Sequence, residues 1–203
     1  MAIERAAIRD EVLALKRERI LEEARSLFYE RGYQGATLDA VAARLNVTKP
    51  FIYAYFENKA ELLGEISQRG TKATLDAVQE ALRRPGRPSE RLDFFIQQLA
   101  RVVVETQANV TIYFREEKHL PQAARERINR WREQIDHHLA TLLREGVDEG
   151  ELQIDDVPLA SLAIGGLVTW MFTWYRPHGR LSSEELAQGM SRLVLKLAGA
   201  KTP

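Results

Sequence analysis

Hydrophobic positions recur along this chain at helical intervals almost from end to end, and no run of strict alternation interrupts them. Ile20, Ala24, Leu27 and Phe28 share one face of a first helix, and Gly32 is its expected stop. The residues before Arg17 keep helical composition and extend that helix upstream. Leu38, Val41, Ala42 and Leu45 fall at i, i+3, i+4 and i+7, with Thr37 placed to cap them. Leu45-Asn46-Val47 then allows a sharp reversal, because Asn tolerates a left-handed backbone. Thr48 is positioned to cap a second short helix, and Pro50 falls in its first turn, where a missing N–H costs little. That helix points Val47, Ile52 and Phe56 inward. Asn58 with Glu61 makes a capping box for a long fourth helix. Its stripe of Leu62, Ile66, Ala73, Ala77 and Ala81 runs toward the breaker Pro85-Gly86-Arg87-Pro88.

Beyond the breaker, Ser89 is expected to cap a helix with Leu92, Phe95, Ile96, Leu99, Val102 and Val103 inside. NVTIYFREEKHLP reads as a short helix ended by Pro121. A helix from Gln122 to Glu149 carries Ile128, Trp131, Ile135, Leu139 and Leu142, and GVDEGEL follows as a turn. From Val157 to Tyr175 there are nineteen residues without a charge. That length could span a bilayer. Pro158, Ser161, Gly165, Gly166, Thr169 and Thr173 dilute its hydrophobicity, so it reads as a helix buried on several sides in protein, with no membrane partner. Ser161 and Gly165, four apart, suit close approach by another helix. Pro177 ends it, and Ser182 with Glu185 caps a last helix whose face is Leu186, Met190, Leu193, Val194 and Leu197. The pattern predicts an all-α chain of about nine helices. A three-helix helix-turn-helix domain is expected over residues 1–58 and a helical bundle over 59–203.

Two helices joined by so tight a turn place the second in a DNA major groove. Lys49 can reach a base edge or a phosphate, and the hydroxyls of Thr37, Thr48, Tyr53 and Tyr55 can hold phosphate oxygens. Lys59, beside a helix N-terminus, offers charge and free N–H groups together. Arg44 adds a further cation. Pro50-Phe51 leaves Phe51 either touching a thymine methyl or packing. Charge narrows this picture: residues 1–64 carry ten basic and ten acidic side chains, and the whole chain also sums to zero. Binding must then rest on local placement, and weak non-specific binding is expected. The chain has no cysteine, which excludes a disulfide framework, thiolate chemistry and cysteine metal sites. Its charged N-terminus is not a signal peptide, so a cytoplasmic location is expected.

Three runs, AxxLFxxxGYxxxT from Ala24 to Thr37, NVTKPFIYAYF and NKAELL, resemble the DNA-binding domain of TetR-type one-component transcriptional repressors. Pro50-Phe51 departs from the small-then-polar pair common there. The resemblance implies a homodimer on a palindromic double-stranded DNA operator, with the last two helices forming a four-helix bundle with their mates. Ser161, Gly165, Leu186, Leu193 and Val194 are the residues expected there. A dimer also suits the DNA end, since two heads must meet successive major grooves about 34 Å apart.

Aromatic residues crowd the second domain, and an apolar cavity with a few polar groups is the usual form of a ligand site. Phe95, Tyr113, Trp131, Trp170 and Trp174 are the candidates. IYFREEKHL and LVTWMFTWYRPHGRLSSEEL resemble a subset of TetR-type regulators of fatty-acid, sterol-ring and aromatic-acid catabolism that respond to coenzyme A thioesters. Arg176 and Arg180 would then face the anionic part of the effector; alternatively Arg176 only caps its helix. A multidrug-type sensor controlling an efflux pump is the second reading within the family. Outside it stands a helical-bundle enzyme of di-iron type, because Glu116 and His119 form an E-x-x-H pair. Such sites need two of these motifs and only one occurs, so the pair reads as a solvated helix end before Pro121. His137 and His138, adjacent on a helix, point about 100° apart. No phosphate loop and no Ser-His-Asp order is present. No catalytic residue, metal site or cofactor is therefore expected.

Overall fold

The computed structural model describes residues 2–200, with side chains from residue 8 onward. All regular structure among the described residues is helical: α1 (Ala2–Gly35), α2 (Leu38–Leu45), α3 (Lys49–Tyr53), α4 (Lys59–Arg83), α5 (Pro88–Glu105), α6 (Gln107–Glu116), α7 (Gln122–Asp148), α8 (Val157–Thr169), α9 (Met171–Trp174) and α10 (Ser183–Leu197). A 3₁₀ turn, Glu117–His119, joins α6 to the loop before α7. The all-α expectation is met. The chain forms two compact units, Met1–Gln68 with Thr111–Arg125, and Arg69–Val110 with Glu126–Pro203. The segment 111–125 therefore groups with the head rather than with the bundle in which the periodicity places it.

In the first unit the buried side chains are Ile20, Leu21, Ala24, Leu27 and Phe28 of α1, Leu38, Val41 and Ala42 of α2, Ile52 and Phe56, and Leu62, Leu63 and Ile66 of α4. Arg17 ties these helices together. Its guanidinium donates to Glu61 at 3.2 Å, to Glu65 and to the Tyr55 carbonyl, and lies 4.0 Å from the Phe56 ring centre. A cation over an aromatic face with carboxylates at its edge is held by both.

In the second unit α5 is central, packed against α8, α9 and α10. Leu92, Phe95, Ile96, Leu99 and Val103 join Leu139, Leu142 and Leu143 of α7, Ile164 and Val168 of α8, and Leu186, Met190 and Val194 of α10 in one core. Two buried serines inside are bonded, as burial demands. Ser191 donates to Asp93 Oδ1 at 2.5 Å, and Ser161 to the Asp136 carbonyl at 3.1 Å.

Local differences from the sequence expectations have local causes. Arg87, not Ser89, is the N-cap of α5, because Pro88 is favoured in the first turn; Glu90 accepts the Arg87 N–H at 3.0 Å. Ser89 instead gives its N–H to Glu151. The uncharged run Val157–Trp174 is long and apolar enough to cross a membrane by composition, yet it divides at Trp170 into α8 and α9.

Candidate functional site

The helix-turn-helix is built by three local devices. Thr37 Oγ1 accepts the Ala40 N–H at 3.1 Å and starts α2. Asn46, at φ 54° and ψ 44°, makes the left-handed reversal, with its N–H closing on α2 carbonyls. Asn58 Oδ1 accepts the Glu61 N–H at 2.9 Å and starts α4. Thr48 stands at the N-cap position of α3 but makes no side-chain cap bond there. Its hydroxyl, on an exposed residue, is not spent on the helix.

Lys49, Pro50 and Tyr53 are exposed on α3, while Phe51 and Tyr55 are half-buried and their rings lie 5.2 Å apart. Phe51 also lies under Lys16 Nζ, 5.9 Å from its ring centre. The cations are less free than their sequence positions suggest. Lys49 Nζ is 3.0 Å from the Asp39 carboxylate, which holds the ammonium above the usual lysine range. Arg44 and Glu30 form a two-pronged pair that raises the guanidinium and lowers the carboxyl. Lys59 Nζ donates to the carbonyls of Tyr33 at 2.7 Å and Ala36 at 2.9 Å and lies 4.2 Å from the Tyr33 ring centre. Lys59 is thus half-buried and engaged in the α1–α2 turn. Exposed ion pairs are worth about 0–1 kcal/mol, so Lys49 and Arg44 can exchange carboxylate for phosphate at little cost.

The candidate effector residues are dispersed. Phe95 is fully buried in the second-unit core and Trp131 half-buried against it. Trp170 and Trp174 are exposed. Tyr113 lies in the first unit, its hydroxyl 3.4 Å from Glu117. Arg176 donates to the Thr173 and Tyr175 carbonyls, which is the helix-capping role, and Arg180 is exposed. A cleft of about 300 Å³ lies elsewhere in the second unit, between Arg84, Pro85, Glu90, Arg91, Asp93, Phe94 and Gln97. It contains none of the seven, and pattern reading had no means to find it.

The proposed interface residues separate into two sets. Ser161, Leu186 and Val194 are buried within the chain. Ser161 faces α7 and the other two face α5, so they are core, and that part of the expectation is corrected. Gly165 and Leu193 are uncovered, as are Leu159, Leu162, Leu167 and Leu197. Glu116 and His119 are not a solvated helix end either. Both are largely buried in the first unit and bonded to each other at 3.2 Å. Among the described residues no three His, Cys, Asp or Glu side chains gather to hold a metal. Burial lowers the His138 pKa, with His137 adding to the effect.

A family model described as "Bacterial regulatory proteins, tetR family" matches residues 20–66, and one described as "Tetracyclin repressor-like, C-terminal domain" matches residues 85–198. The HTH-type transcriptional repressor KstR2 of Mycolicibacterium smegmatis is 26% identical over 185 residues, covering 90% of each chain. The crystal structure of PfmR, a TetR family transcriptional regulator from Thermus thermophilus, is similar with a TM-score of 0.80 and 33% identity, over 88% of this chain and 97% of PfmR. AibR in complex with isovaleryl coenzyme A and operator DNA is similar with a TM-score of 0.75 and 26% identity, over 92% and 100% of the two chains.

Proposed function

From the premise that the chain belongs to the TetR family of bacterial regulatory proteins, we propose that it is a transcriptional repressor that leaves its operator when a coenzyme A thioester binds. The outward face of α3, on a capped and tightly turned helix-turn-helix, carries the DNA half of this reading. Lys49 reads a base edge, and Thr37, Arg44, Thr48, Tyr53 and Tyr55 hold phosphates and fix the register. Lys59 keeps the α1–α2 turn in place beside them. Two copies join through the uncovered apolar face of α8 and α10, including Gly165 and Leu193, and the pair meets a palindromic site.

The likeness to AibR, whose structure holds isovaleryl coenzyme A with operator DNA, supports a thioester effector. The acyl part would take an apolar site among the second-unit aromatics, and Arg176 and Arg180 would meet the phosphates. Release requires the effector to bind the state with wider-spaced heads more tightly than the DNA-bound state; affinity alone shifts nothing. The test is a titration of a fluorescent duplex, selected by the protein itself from a random pool, with isovaleryl coenzyme A, isovalerate and unesterified coenzyme A. The thioester should release DNA well and the free acid poorly. Arg176→Ala should weaken release by about 1.5–3 kcal/mol while leaving DNA affinity intact. A free acid as effective as its thioester would remove the coenzyme from the proposal and favour a sensor of plain hydrophobic compounds.

A further inference from the structure

A helix that breaks leaves backbone donors and acceptors on either side of the break without their mutual bonds. α1 breaks at Gly32, whose φ of 69° and ψ of 168° suit glycine alone. In an unbroken helix the Tyr33 N–H would donate to the Tyr29 carbonyl. Here the Tyr33 N–H donates to Glu116 Oε1 at 3.1 Å, and the Tyr29 carbonyl accepts from Arg115 Nη1 at 3.3 Å. Two consecutive residues of α6 thus serve both partners of one of the interrupted bonds, from 83 and 86 positions away.

His119 closes the arrangement. Its ring stacks on Tyr33 with centroids 5.0 Å apart, Nε2 is 3.0 Å from Gln34 Nε2, and Nδ1 is 3.2 Å from Glu116 Oε2. The tautomer with its proton on Nδ1 satisfies both contacts: it donates to the carboxylate and accepts from the amide. Gly32 lies close against this carboxylate, since a Cβ there would stand 3.3 Å from Glu116 Oε1. The turn held this way, Tyr33–Ala36, runs directly into Thr37, the cap of α2, and α2 carries the reversal that sets α3.

We infer that Arg115, Glu116 and His119 are positioning residues of the DNA-binding head, acting through the kinked turn after Gly32. The inference rests on the DNA-binding reading, but the clasp itself is open to measurement without DNA. Full-length variants are compared with wild type for dimer formation, for amide exchange at Tyr33 and along α2, and for affinity to the duplex that wild type selects from a random-sequence pool. Glu116→Ala should speed exchange at Tyr33 and weaken the selected duplex by about tenfold or more, the loss of one bond to a charged acceptor, with the dimer intact. Glu116→Gln, whose amide oxygen can accept the same N–H, should recover most of both. His119→Ala should cost about threefold through lost stacking.

Wild-type exchange and affinity in Glu116→Ala would overturn the inference. So would faster exchange with unaltered affinity, which confines the trio to local structure. A Glu116→Gln protein as impaired as Glu116→Ala would also overturn it, because the bonded acceptor would not then be what matters. If Glu116→Ala does not fold, His119→Ala and Arg115→Ala decide, and unchanged exchange in both defeats the proposal. Should wild type select no duplex, the DNA-binding reading fails, while the exchange measurements still decide whether the clasp exists.

Discussion

In the first unit Arg17, Arg44, Lys49 and Lys59 all meet carboxylates or carbonyls of the same chain. In the second unit Leu159, Leu162 and Trp170 are 63%, 58% and 58% exposed, and a Cβ added at Gly165, Gly166 or Gly189 would meet nothing within 4 Å. These four cations of the first unit are engaged within the chain, whereas α8 of the second unit leaves apolar side chains uncovered. The physical costs explain what each surface awaits. An exposed ion pair trades partners at little cost, so the paired cations remain available to a polyanion. A contiguous apolar face is costly in water and marks a site that another surface covers.

The comparison breaks most visibly if the apolar face is charged. Leu162→Glu combined with Trp170→Glu should give a monomer in sedimentation and lower affinity for the selected duplex roughly hundredfold, since two linked heads bind far more tightly than one. A stable dimer of this variant would place the interface elsewhere. Within the head, Gly32→Ala should cost about 1–3 kcal/mol of stability, the strain of a side chain in that backbone region, read as a shifted denaturant midpoint. Lys49→Ala should lose about 1–3 kcal/mol on the selected duplex and less on random sequence if it reads a base. Equal losses on both would reduce it to a phosphate contact. The smallest effect sharpens the contrast most. Asp39→Asn frees Lys49, so random duplex should bind more tightly by about 0.2–1 kcal/mol and the salt dependence should steepen. An unchanged salt slope would mean that the Asp39 pair does not hold Lys49 back from DNA.

What was legible in the sequence was what is local. Thr37, Asn46, Asn58 and the Ser182–Glu185 box act within four residues of their partners, and the structure places each bond from Thr37, Asn58 and Ser182 where spacing puts it. What was hidden depends on distance along the chain or on direction around a helix. Lys59 looked like a free cation because the carbonyls it binds lie 23 and 26 residues upstream. Ser161 looked like an interface residue because α8 is apolar nearly all round, and such a helix gives no gradient to show which side faces inward. Leu186 and Val194 were misplaced for a related reason: α10 buries one apolar face on α5 and leaves Leu193 and Leu197 outside, and periodicity alone does not say which stripe goes where. The seven effector candidates share only residue type, and type carries no information about convergence.

The kink at Gly32 also bears on how the chain is made. A growing polypeptide exposes the head first, with every residue of α1 to α4 available before α6 exists. Tyr33 and Tyr29 must nevertheless wait for Glu116 and Arg115, and Gln34 for His119. At about 5–20 residues per second of synthesis, that interval is on the order of 4–17 seconds. During it the head carries an unfinished turn immediately before α2, so a nascent chain would acquire its grip on DNA only after α6 and the turn behind it have left the ribosome.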